Sequence, residues 1–276
     1  MTHISILGCG WLGYPLALDL IKEGFIVQGS TRSQKKYELL QKAGVIPYLI
    51  NVDPLVSGNN LHQFFQANIL IIAIPPSVRT TSTDFHPNQI FNILDKISSS
   101  SIQHCIYISS TVVYPDLNDH VTEETPVTTT SDRALAVVNA EQLLQNHKIP
   151  TTIIRCGGLM GYDRNPVKYL KYLIEDQQST NKRMKHADTP VNYIHRDDVI
   201  GIIKKVIAEQ AWNQIFNAVA PKHPYRKEIL LKQYPEAVLK GNSNLDSSYK
   251  IVRSDKVSRI LNYKFQYPDP LSFPFF

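Results

Sequence analysis

The sequence predicts an α/β fold built around a parallel sheet, and two features of its first half carry that prediction. Short β-rich segments alternate there with helical ones, an order that is typical of parallel strands joined by helices. The segment Asn68–Ile74, NILIIAI, is almost wholly apolar, as expected for a strand that is buried on both faces. We therefore predict a doubly wound, Rossmann-type parallel sheet followed by a small C-terminal lobe.

The individual elements of the first half follow from β-rich runs and helical stretches. The runs that predict strands are His3–Leu7, Phe25–Ser30, Val45–Ile50, Asn68–Ile74, Gln103–Ser110 and Thr151–Cys156. The stretches that predict helices are Leu12–Glu23, Gln34–Lys42, Asp84–Ser98 and Ser131–Leu144. In the last of these helices, Ala134, Leu135, Val138 and Leu144 are expected to form an apolar stripe, with Arg133 and Glu141 facing water.

The pattern loosens after Cys156. A glycine-rich loop precedes a predicted helix at Val167–Glu175, and a later helix is expected to begin near Asp197 or Asp198, since a carboxylate suits a helix start. Gln214–Ala220 predicts one more strand. We expect residues 1–160 to form the sheet domain and residues 161–276 to form mainly the smaller lobe, with about 190–220 returning to the core. Ligands of such folds bind beyond the carboxyl ends of the strands, so this lobe is expected to hold a substrate.

Composition excludes several classes of protein. A hydrophobic content of 43% with 19% charged residues is ordinary for a globular protein, and no apolar run approaches the roughly 18 residues of a membrane span. The first ten residues lack the basic segment of a signal peptide. Cys9, Cys105 and Cys156 are odd in number and widely spaced, which favours reduced thiols over disulfides or a metal site. We expect a cytoplasmic protein without a metal, as a monomer or a homodimer.

The net charge of +5 is compatible with two interpretations. Basic residues are frequent in Asn181–His186, and a solvated surface is favoured there over a binding patch. No helix-turn-helix, zinc-finger or RNA-binding signature occurs in the sequence. We therefore expect neither a nucleic-acid nor a membrane partner, and a small anionic molecule as the substrate.

A glycine-rich motif predicts a dinucleotide site. Gly8, Gly10 and Gly13 have the G-x-G-x-x-G spacing, directly after the first predicted strand and at the start of a helix. In that context the glycines allow a tight turn, a close approach to a pyrophosphate and close helix packing, and the helix N-terminus supplies N–H donors. The alternative is a purely structural turn.

The end of the second predicted strand indicates which dinucleotide is preferred. A site for NAD usually has Asp or Glu there, to bind the ribose hydroxyls. The segment Gln28–Ser33 has no carboxylate and offers instead Ser30, Thr31, Arg32 and Ser33, which suit a 2′-phosphate. We predict NADP(H) as the preferred cofactor and NAD(H) as the alternative. Arg32 as a solvated residue at a helix start is the competing interpretation.

Several further segments resemble one enzyme family in the same order. YISSTVVYPD, at Tyr107–Asp116, resembles the S-[ST]-x-x-V-Y-G stretch of extended short-chain dehydrogenases, the NAD-dependent epimerase/dehydratase family. Similar to other family motifs are Glu124–Leu144, Ile153–Pro166, Val191–Ile203 and Ile215–Pro221. The GWLG loop, the group His223, Pro224 and Arg226, and the ending Gln266–Leu271 resemble an atypical bacterial branch, the YeeZ-like proteins.

The resemblance implies a mechanism whose main residues are missing here. The family uses a Ser or Thr, a Tyr that moves the proton and a Lys that lowers the pKa of that Tyr. Ser110, four positions before Tyr114, stands at the Ser/Thr position, but Arg133 and Val137 stand where Tyr and Lys are expected. Between Tyr114 and Tyr162 the sequence has no tyrosine, and its only lysine there, Lys148, lies beyond the predicted helix. An arginine stays protonated, so Arg133 cannot act as the acid or base.

Other residues are candidates to replace the missing pair. Tyr114 and His195 join Ser110 as catalytic candidates, and His195 could act as an acid or base because a histidine titrates near neutral pH. The alternatives are that Tyr114 is structural, that His195 is only hydrogen-bonded in the cleft, and that Ser110 satisfies backbone groups. Arg133, Tyr193 and His195 are candidates for contact with the substrate; for Arg133, a solvated residue is equally compatible. The residues expected to contact the cofactor are Gly8, Gly10, Trp11, Leu12, Gly13, Thr31, Arg32, Ala73, Pro75 and Ser109.

Two functions follow from these features. The first is an atypical NADP(H)-dependent oxidoreductase or nucleotide-sugar epimerase-like enzyme with a non-standard proton carrier. The second is a redox-sensing or regulatory protein that binds NADP(H) and performs no chemistry.

Overall fold

A computed structural model describes residues 1–76, 83–128, 131–174, 187–239 and 248–276. Its strands are β1 (His3–Leu7), β2 (Ile26–Thr31), β3 (Ile46–Asp53), β4 (Leu55–Gly58), β5 (Ile69–Ile72), β6 (His104–Ser110), β7 (Asp119–Val121), β8 (Thr151–Cys156), β9 (Gly158–Met160), β10 (Tyr193–His195), β11 (Ile215–Ala218) and β12 (Lys250–Val252). Its helices are α1 (Gly13–Lys22), α2 (Gln34–Lys42), α3 (Leu61–Phe64), α4 (Phe85–Ile97), α5 (Asp132–Gln145), α6 (Val167–Leu170), α7 (Arg196–Ala208), α8 (Arg226–Gln233) and α9 (Asp255–Leu261).

The predicted α/β fold is confirmed by the central sheet. Eight strands lie side by side in the order β11-β8-β6-β5-β1-β2-β3-β4. The pairs β1–β2, β2–β3, β1–β5 and β5–β6 are parallel, and β3–β4 is antiparallel. The chain thus moves outward from β1 in one direction and then outward from β5 in the other. Because such crossovers are right-handed, the connecting helices fall on opposite faces, and the crevice between β1 and β5 is the usual ligand position.

Buried apolar side chains form the core at the centre of this sheet. All four residues of β5 are buried, as the apolar run predicts. Helices α4 and α5 pack their apolar faces onto the same core, including Ile90, Ile93, Ala140 and Leu144. Burial on this scale stabilises a sheet by roughly 1.5–3 kcal/mol for each large side chain.

Some predicted elements differ from the structure. The third strand is longer than Val45–Ile50, because its end pairs with β4, a hairpin strand that the sequence pattern does not indicate. The glycine-rich loop after Cys156 contains β9, which pairs with β10. The helix predicted at Val167–Glu175 ends as an α-helix at Leu170 and continues as a 3₁₀ turn, Lys171–Leu173. Glu175 and the basic segment Asn181–His186 lie outside the described residues.

The chain divides into two compact units. The first comprises Met1–Val113, Val127–Arg155 and Ile203–Phe216, and the second comprises Tyr114–Pro126, Cys156–Ile202 and Asn217–Phe276. This division differs from a single cut at residue 160, because a segment before that position belongs to the second unit. Among the described residues, no helix is both long enough and apolar enough to span a membrane.

A buried carboxylate in the first turn of α7 links two segments of the second unit. Asp198 is fully buried and accepts hydrogen bonds from the Tyr263 hydroxyl at 2.8 Å, from the Gln266 N–H at 2.7 Å and from the Tyr267 N–H at 3.1 Å. Burial raises the pKa of this carboxyl group, while the three donors oppose that rise. Asp198 therefore fixes the segment after α9 to α7.

Candidate dinucleotide-binding site

The loop between β1 and α1 has a geometry that requires glycine. Gly8 has a φ of +107°, and a Cβ there would lie 3.0 Å from the Ala73 carbonyl oxygen at the end of β5. A Cβ on Gly13 would lie 2.3 Å from the Gly8 carbonyl oxygen, so this glycine brings α1 against the loop. A Cβ on Gly10 would meet nothing within 4 Å among the described residues. Gly10 therefore faces open space, which is where a ligand can approach the backbone.

The loop is anchored by Ser30 at the end of β2. The Gly8 N–H donates to the Ser30 Oγ at 2.8 Å, and the Cys9 N–H donates to the Ser30 carbonyl oxygen at 2.8 Å. Ser30 is only 2% exposed. Its hydroxyl, which the sequence pattern offered to a 2′-phosphate, accepts the Gly8 N–H and so anchors the loop, and Ser30 also lines the cavity beside it.

A cavity of about 450 Å³ lies beside this loop. It is lined by Leu7, Gly8, Cys9, Gly10, Ser30, Thr31, Arg32, Lys36, Ile50, Asn51, Val52, Asp53, Ala73, Ile74, Pro75, Phe85 and Gln89. The lining contains six of the residues expected to contact a cofactor, namely Gly8, Gly10, Thr31, Arg32, Ala73 and Pro75. Trp11, Leu12, Gly13 and Ser109 are not among its lining residues.

A second cavity, of about 730 Å³, shares one wall with the first. It is lined by Thr31, Arg32, Ser33, Lys36, Leu49, Ile50, Asn51, Ser57 and Gly58. This lining contains two basic side chains and no carboxylate, whereas Asp53 lines only the smaller cavity. Arg32 and Lys36 are both exposed, and neither side chain forms an ion pair with the residues that the structure describes.

Cys9, which lies between Gly8 and Gly10 in the loop, is unreactive. Its side chain is 5% exposed, and burial raises the pKa of the thiol to about 12. The reactive form of cysteine is the thiolate, so Cys9 stays protonated and unreactive at neutral pH.

A chain of hydrogen bonds connects the cavity wall to the interior of the first unit. The Gln89 Nε2 donates to the Val52 carbonyl oxygen at 2.6 Å, which directs the Gln89 Oε1 toward His86 Nδ1, 3.0 Å away. His86 Nδ1 must therefore carry the proton, and His86 Nε2 accepts from the Tyr107 hydroxyl at 2.7 Å. Burial lowers the pKa of His86, so the imidazole stays neutral. This chain fixes Gln89 and the end of β3 at the cavity.

A buried ion pair lies under the end of β6. Glu141 of α5 accepts from Arg155 Nη2 at 2.7 Å and from Ser109 Oγ at 2.5 Å. Both charged side chains are 3% exposed. The expectation that Glu141 faces water is wrong, because this carboxylate is satisfied in the interior by a guanidinium and a hydroxyl. The Ser109 hydroxyl is therefore committed to this network.

The three residues at the family's catalytic positions have different surroundings. The Ser110 Oγ accepts the Val112 N–H at 3.2 Å, a local contact at the end of β6. Arg133, in the first turn of α5, is exposed, as predicted. Val137 is fully buried and contributes only to packing.

Tyr114 is held within the second unit. Its hydroxyl donates to the Asn217 Oδ1 at 2.8 Å, and the residue is 2% exposed. Asn217 is fixed in turn, because its N–H donates to Glu123 at 2.8 Å and its Nδ2 donates to the Arg253 carbonyl oxygen at 2.9 Å. This arrangement matches the structural interpretation of Tyr114.

His195 is enclosed by aromatic side chains of the second unit. It is fully buried, its Nδ1 accepts the Asp197 N–H at 3.2 Å, and Tyr267 lies 3.9 Å away, ring centre to ring centre. Burial lowers the pKa of this imidazole. Tyr162, whose φ is +55°, lies at 5.0 Å from the His195 ring and donates its hydroxyl proton to Asp197. His195 is thus a packed, neutral residue, and Tyr162 is the more accessible of the two.

Tyr193, a substrate candidate, lies in β10 and is half-buried. A Cβ on Gly158 would lie 2.7 Å from the Tyr193 ring, so the ring packs directly on the backbone of β9. The structure thus gives Tyr193 a packing contact within the second unit.

The fold and the loop together define a Rossmann-type protein of the class whose glycine-rich turn binds a dinucleotide. A sequence model of the NAD dependent epimerase/dehydratase family matches residues 4–218. The chain therefore belongs to the NAD dependent epimerase/dehydratase family.

One relative agrees with this membership, and two solved structures share the fold. The chain is 30% identical to Protein YeeZ of Escherichia coli K12 over 287 residues, covering 99% of each protein. Its fold is similar to that of the UDP-Glc/GlcNAc 4-epimerase of Campylobacter jejuni, with a TM-score of 0.78, 13% identity and 98% and 96% of the two chains covered. It is also similar to a short-chain dehydrogenase/reductase superfamily protein of Agrobacterium tumefaciens with bound NAD, with a TM-score of 0.76, 14% identity and coverage of 98% and 94%.

Sequence reasoning missed several residues of the cavity. Lys36, Asn51, Asp53 and Gln89 line it, but none belongs to a recognised motif. The predicted strand Val45–Ile50 supplies one usable signal, since Asn51 and Asp53 follow it at the carboxyl edge, where such folds bind ligands. Nothing in the sequence indicates Gln89, which is brought there by α4.

Proposed function

We propose that the protein binds NADP(H) in the cavity beside the glycine loop and uses it in an oxidoreductase or epimerase-like reaction on a small anionic substrate. The main observation in support of this proposal is that the glycine loop and an exposed arginine line the same cavity. One wall is the glycine loop, with Gly10 facing open space. The other presents Arg32, an exposed guanidinium with no carboxylate partner among the described residues.

The residues of this cavity fit a dinucleotide. The side chain that is missing at Gly10 leaves room for a ligand against the backbone. In the first turn of α1 the Tyr14 and Leu16 N–H groups donate to the Gly10 and Leu12 carbonyl oxygens at 3.1 and 3.2 Å, and Pro15 has no N–H. The proposed contribution of α1 to a pyrophosphate is therefore mainly the positive end of its helix dipole. Arg32 stands where a carboxylate would bind a ribose, and a guanidinium there favours a 2′-phosphate.

The chain's own residues suggest how a substrate would be oriented. When bound, a nicotinamide cofactor supplies hydride transfer. The Ser110 Oγ accepts a hydrogen bond from Val112, so its own proton is available to donate to a substrate oxygen. Arg133 is an exposed cation and is proposed to bind the anionic part of the substrate. A nucleotide sugar is the proposed substrate class, since a related fold from Thermotoga maritima is a UDP-glucose 4-epimerase with UDP-glucose.

Arg32→Ala is expected to weaken the binding of NADPH by about tenfold or more, because a charge-assisted hydrogen bond contributes about 1.5–3 kcal/mol. NADH lacks the 2′-phosphate, so its dissociation constant should change little. Titration of both cofactors into both proteins, followed by fluorescence or calorimetry, measures the difference. An equal change for the two cofactors would contradict the preference for NADP(H).

A second function is favoured by the surroundings of the catalytic candidates. The Tyr114 hydroxyl is committed to Asn217, and His195 is fully buried among aromatic rings. Neither is arranged to exchange a proton with a ligand in the structure as it stands. A protein that binds NADP(H) and reports its oxidation state to a partner, without chemistry, is therefore the alternative proposal.

Turnover separates the two functions. With NADPH bound, a panel of carbonyl compounds and nucleotide sugars is followed by absorbance for redox and by product analysis for epimerisation. We expect turnover with a member of this panel, and Ser110→Ala should reduce it by about 10²-fold or more, as loss of an oriented hydrogen-bond donor does. Tight cofactor binding without turnover, together with a partner that binds only one oxidation state, would favour the sensor.

We also propose a cytoplasmic location and a monomer or homodimer. The location is supported by three cysteines that are buried and unpaired, as in proteins of reducing compartments.

A further inference from the structure

The larger cavity beside the cofactor site has the character of an anion site. Arg32 and Lys36 provide two positive charges, Ser33 and Ser57 provide hydroxyl groups, and its lining includes no carboxylate. The Thr31 Oγ1 accepts the Ser33 N–H at 3.2 Å and the Ser33 Oγ accepts the Lys36 N–H at 3.5 Å, so each hydroxyl keeps its own proton to donate. An anion with several oxygens would thus meet two cations and hydroxyl groups in one cavity.

Lys36 is placed between the two cavities. It is the third residue of α2, which begins after Ser33, and it lines both the cavity with Gly8 and Gly10 and the cavity with Ser57. The positive charge of Lys36 also lowers the pKa of the Cys9 thiol, opposing the larger effect of burial. Lys36 and the glycine loop thus line the same cavity.

Helix stability does not explain why a lysine occupies position 36 in the first turn of α2. The first turn of α2 contains no acidic residue, and a cation there opposes the positive end of the helix dipole. Lys36 forms no ion pair with the described residues that would offset this effect. Lys35 has the same unfavourable place in this turn, so the dipole alone does not single out Lys36. Lys36 differs in lining both cavities, where a negative ligand would compensate its charge.

We propose that Lys36 is a second ligand of the 2′-phosphate and clamps it together with Arg32, a role that rests on the proposed binding of NADP(H). A phosphate monoester carries a charge of about −1.5 to −2 at neutral pH, so one guanidinium leaves part of that charge unpaired. Arg32 offers a planar fork of donors and Lys36 a compact point charge, and the two can approach different phosphate oxygens. Lys36 is thus a specificity-determining residue for the cofactor.

The test compares two neighbouring lysines. Lys35 is exposed in the same helical turn but lines neither cavity, so Lys35→Ala removes an equal charge outside the site. Lys36→Ala is expected to raise the dissociation constant of NADPH by about tenfold and that of NADH by less than about twofold. Lys35→Ala should change either constant by less than about twofold. Thermal unfolding of both variants confirms that the fold is intact.

The outcomes distinguish this inference from the proposed function. If Lys36→Ala affects both cofactors equally or neither, while Arg32→Ala still discriminates, Lys36 is not a phosphate ligand and the preference for NADP(H) stands. If Arg32→Ala also fails to discriminate, the preference itself is wrong, and the role of Lys36 falls with it. An equal effect of the two lysine variants on NADPH would also overturn the inference, because it would indicate general attraction.

Discussion

Arg155→Met is expected to lower the free energy of unfolding by about 3–5 kcal/mol, because it leaves a buried carboxylate without its cation. Glu141 and Arg155 are each 3% exposed and are joined at 2.7 Å. Methionine is apolar and of similar length, so it fills the space of Arg155 while removing the charge. Urea unfolding followed by circular dichroism measures the loss.

Two further variants separate the buried pair from a general effect of charge. The double variant Glu141→Met with Arg155→Met is expected to recover most of the loss, since replacing both partners of a buried pair is often neutral. Lys205→Met is the matched control, because Lys205 pairs with Glu209 in an exposed i,i+4 pair at 3.2 Å, and about 0.3–0.5 kcal/mol is expected there. Equal losses in Arg155→Met and Lys205→Met would show that the buried pair has no special role.

Gly13→Ala is expected to damage both stability and cofactor binding. Its Cβ would lie 2.3 Å from the Gly8 carbonyl oxygen, a backbone atom that cannot move without deforming the loop. We expect a loss of about 1–3 kcal/mol in the free energy of unfolding, as in overpacked cores. The displaced loop should also weaken cofactor binding by tenfold or more, about 1.4 kcal/mol.

Gly10→Ala is the informative comparison for Gly13→Ala. A Cβ at Gly10 meets no atom of the described residues within 4 Å, so unfolding by urea should be nearly unchanged. Cofactor affinity should nevertheless fall, because the added methyl group occupies the space that the ligand requires. Retention of full affinity in Gly10→Ala would mean that the dinucleotide does not approach this loop.

Local signals allowed part of the fold to be predicted from the sequence. The bounds of α2 agree with the prediction because Ser33 caps the helix and polar residues follow it. The bounds of β8 agree because its six residues are all buried and start after Pro150. Strand β4 was missed, since its four residues carry little pattern and its pairing with β3 is what makes it a strand.

The site could be predicted from the sequence where the backbone geometry allows only one residue type. Gly8 and Gly13 must be glycine for steric reasons, and that spacing is readable. Glu141 was misplaced because a glutamate is usually exposed, and the partner that allows its burial, Arg155, lies on another element. The same applies to Lys36, whose position on a cavity wall depends on how α2 packs and not on any local motif.

The pairing of β7 with β12 has a consequence for the order in which the protein is synthesised. The Tyr249 N–H bonds to the Asn118 side chain, 131 positions earlier in the chain. While the ribosome makes the intervening residues, the segment around β7 has left the tunnel without its strand partner, although most of the first unit's residues are already present. We therefore expect the second unit to complete its fold late in translation, with the segment around β7 unpaired until β12 has been made.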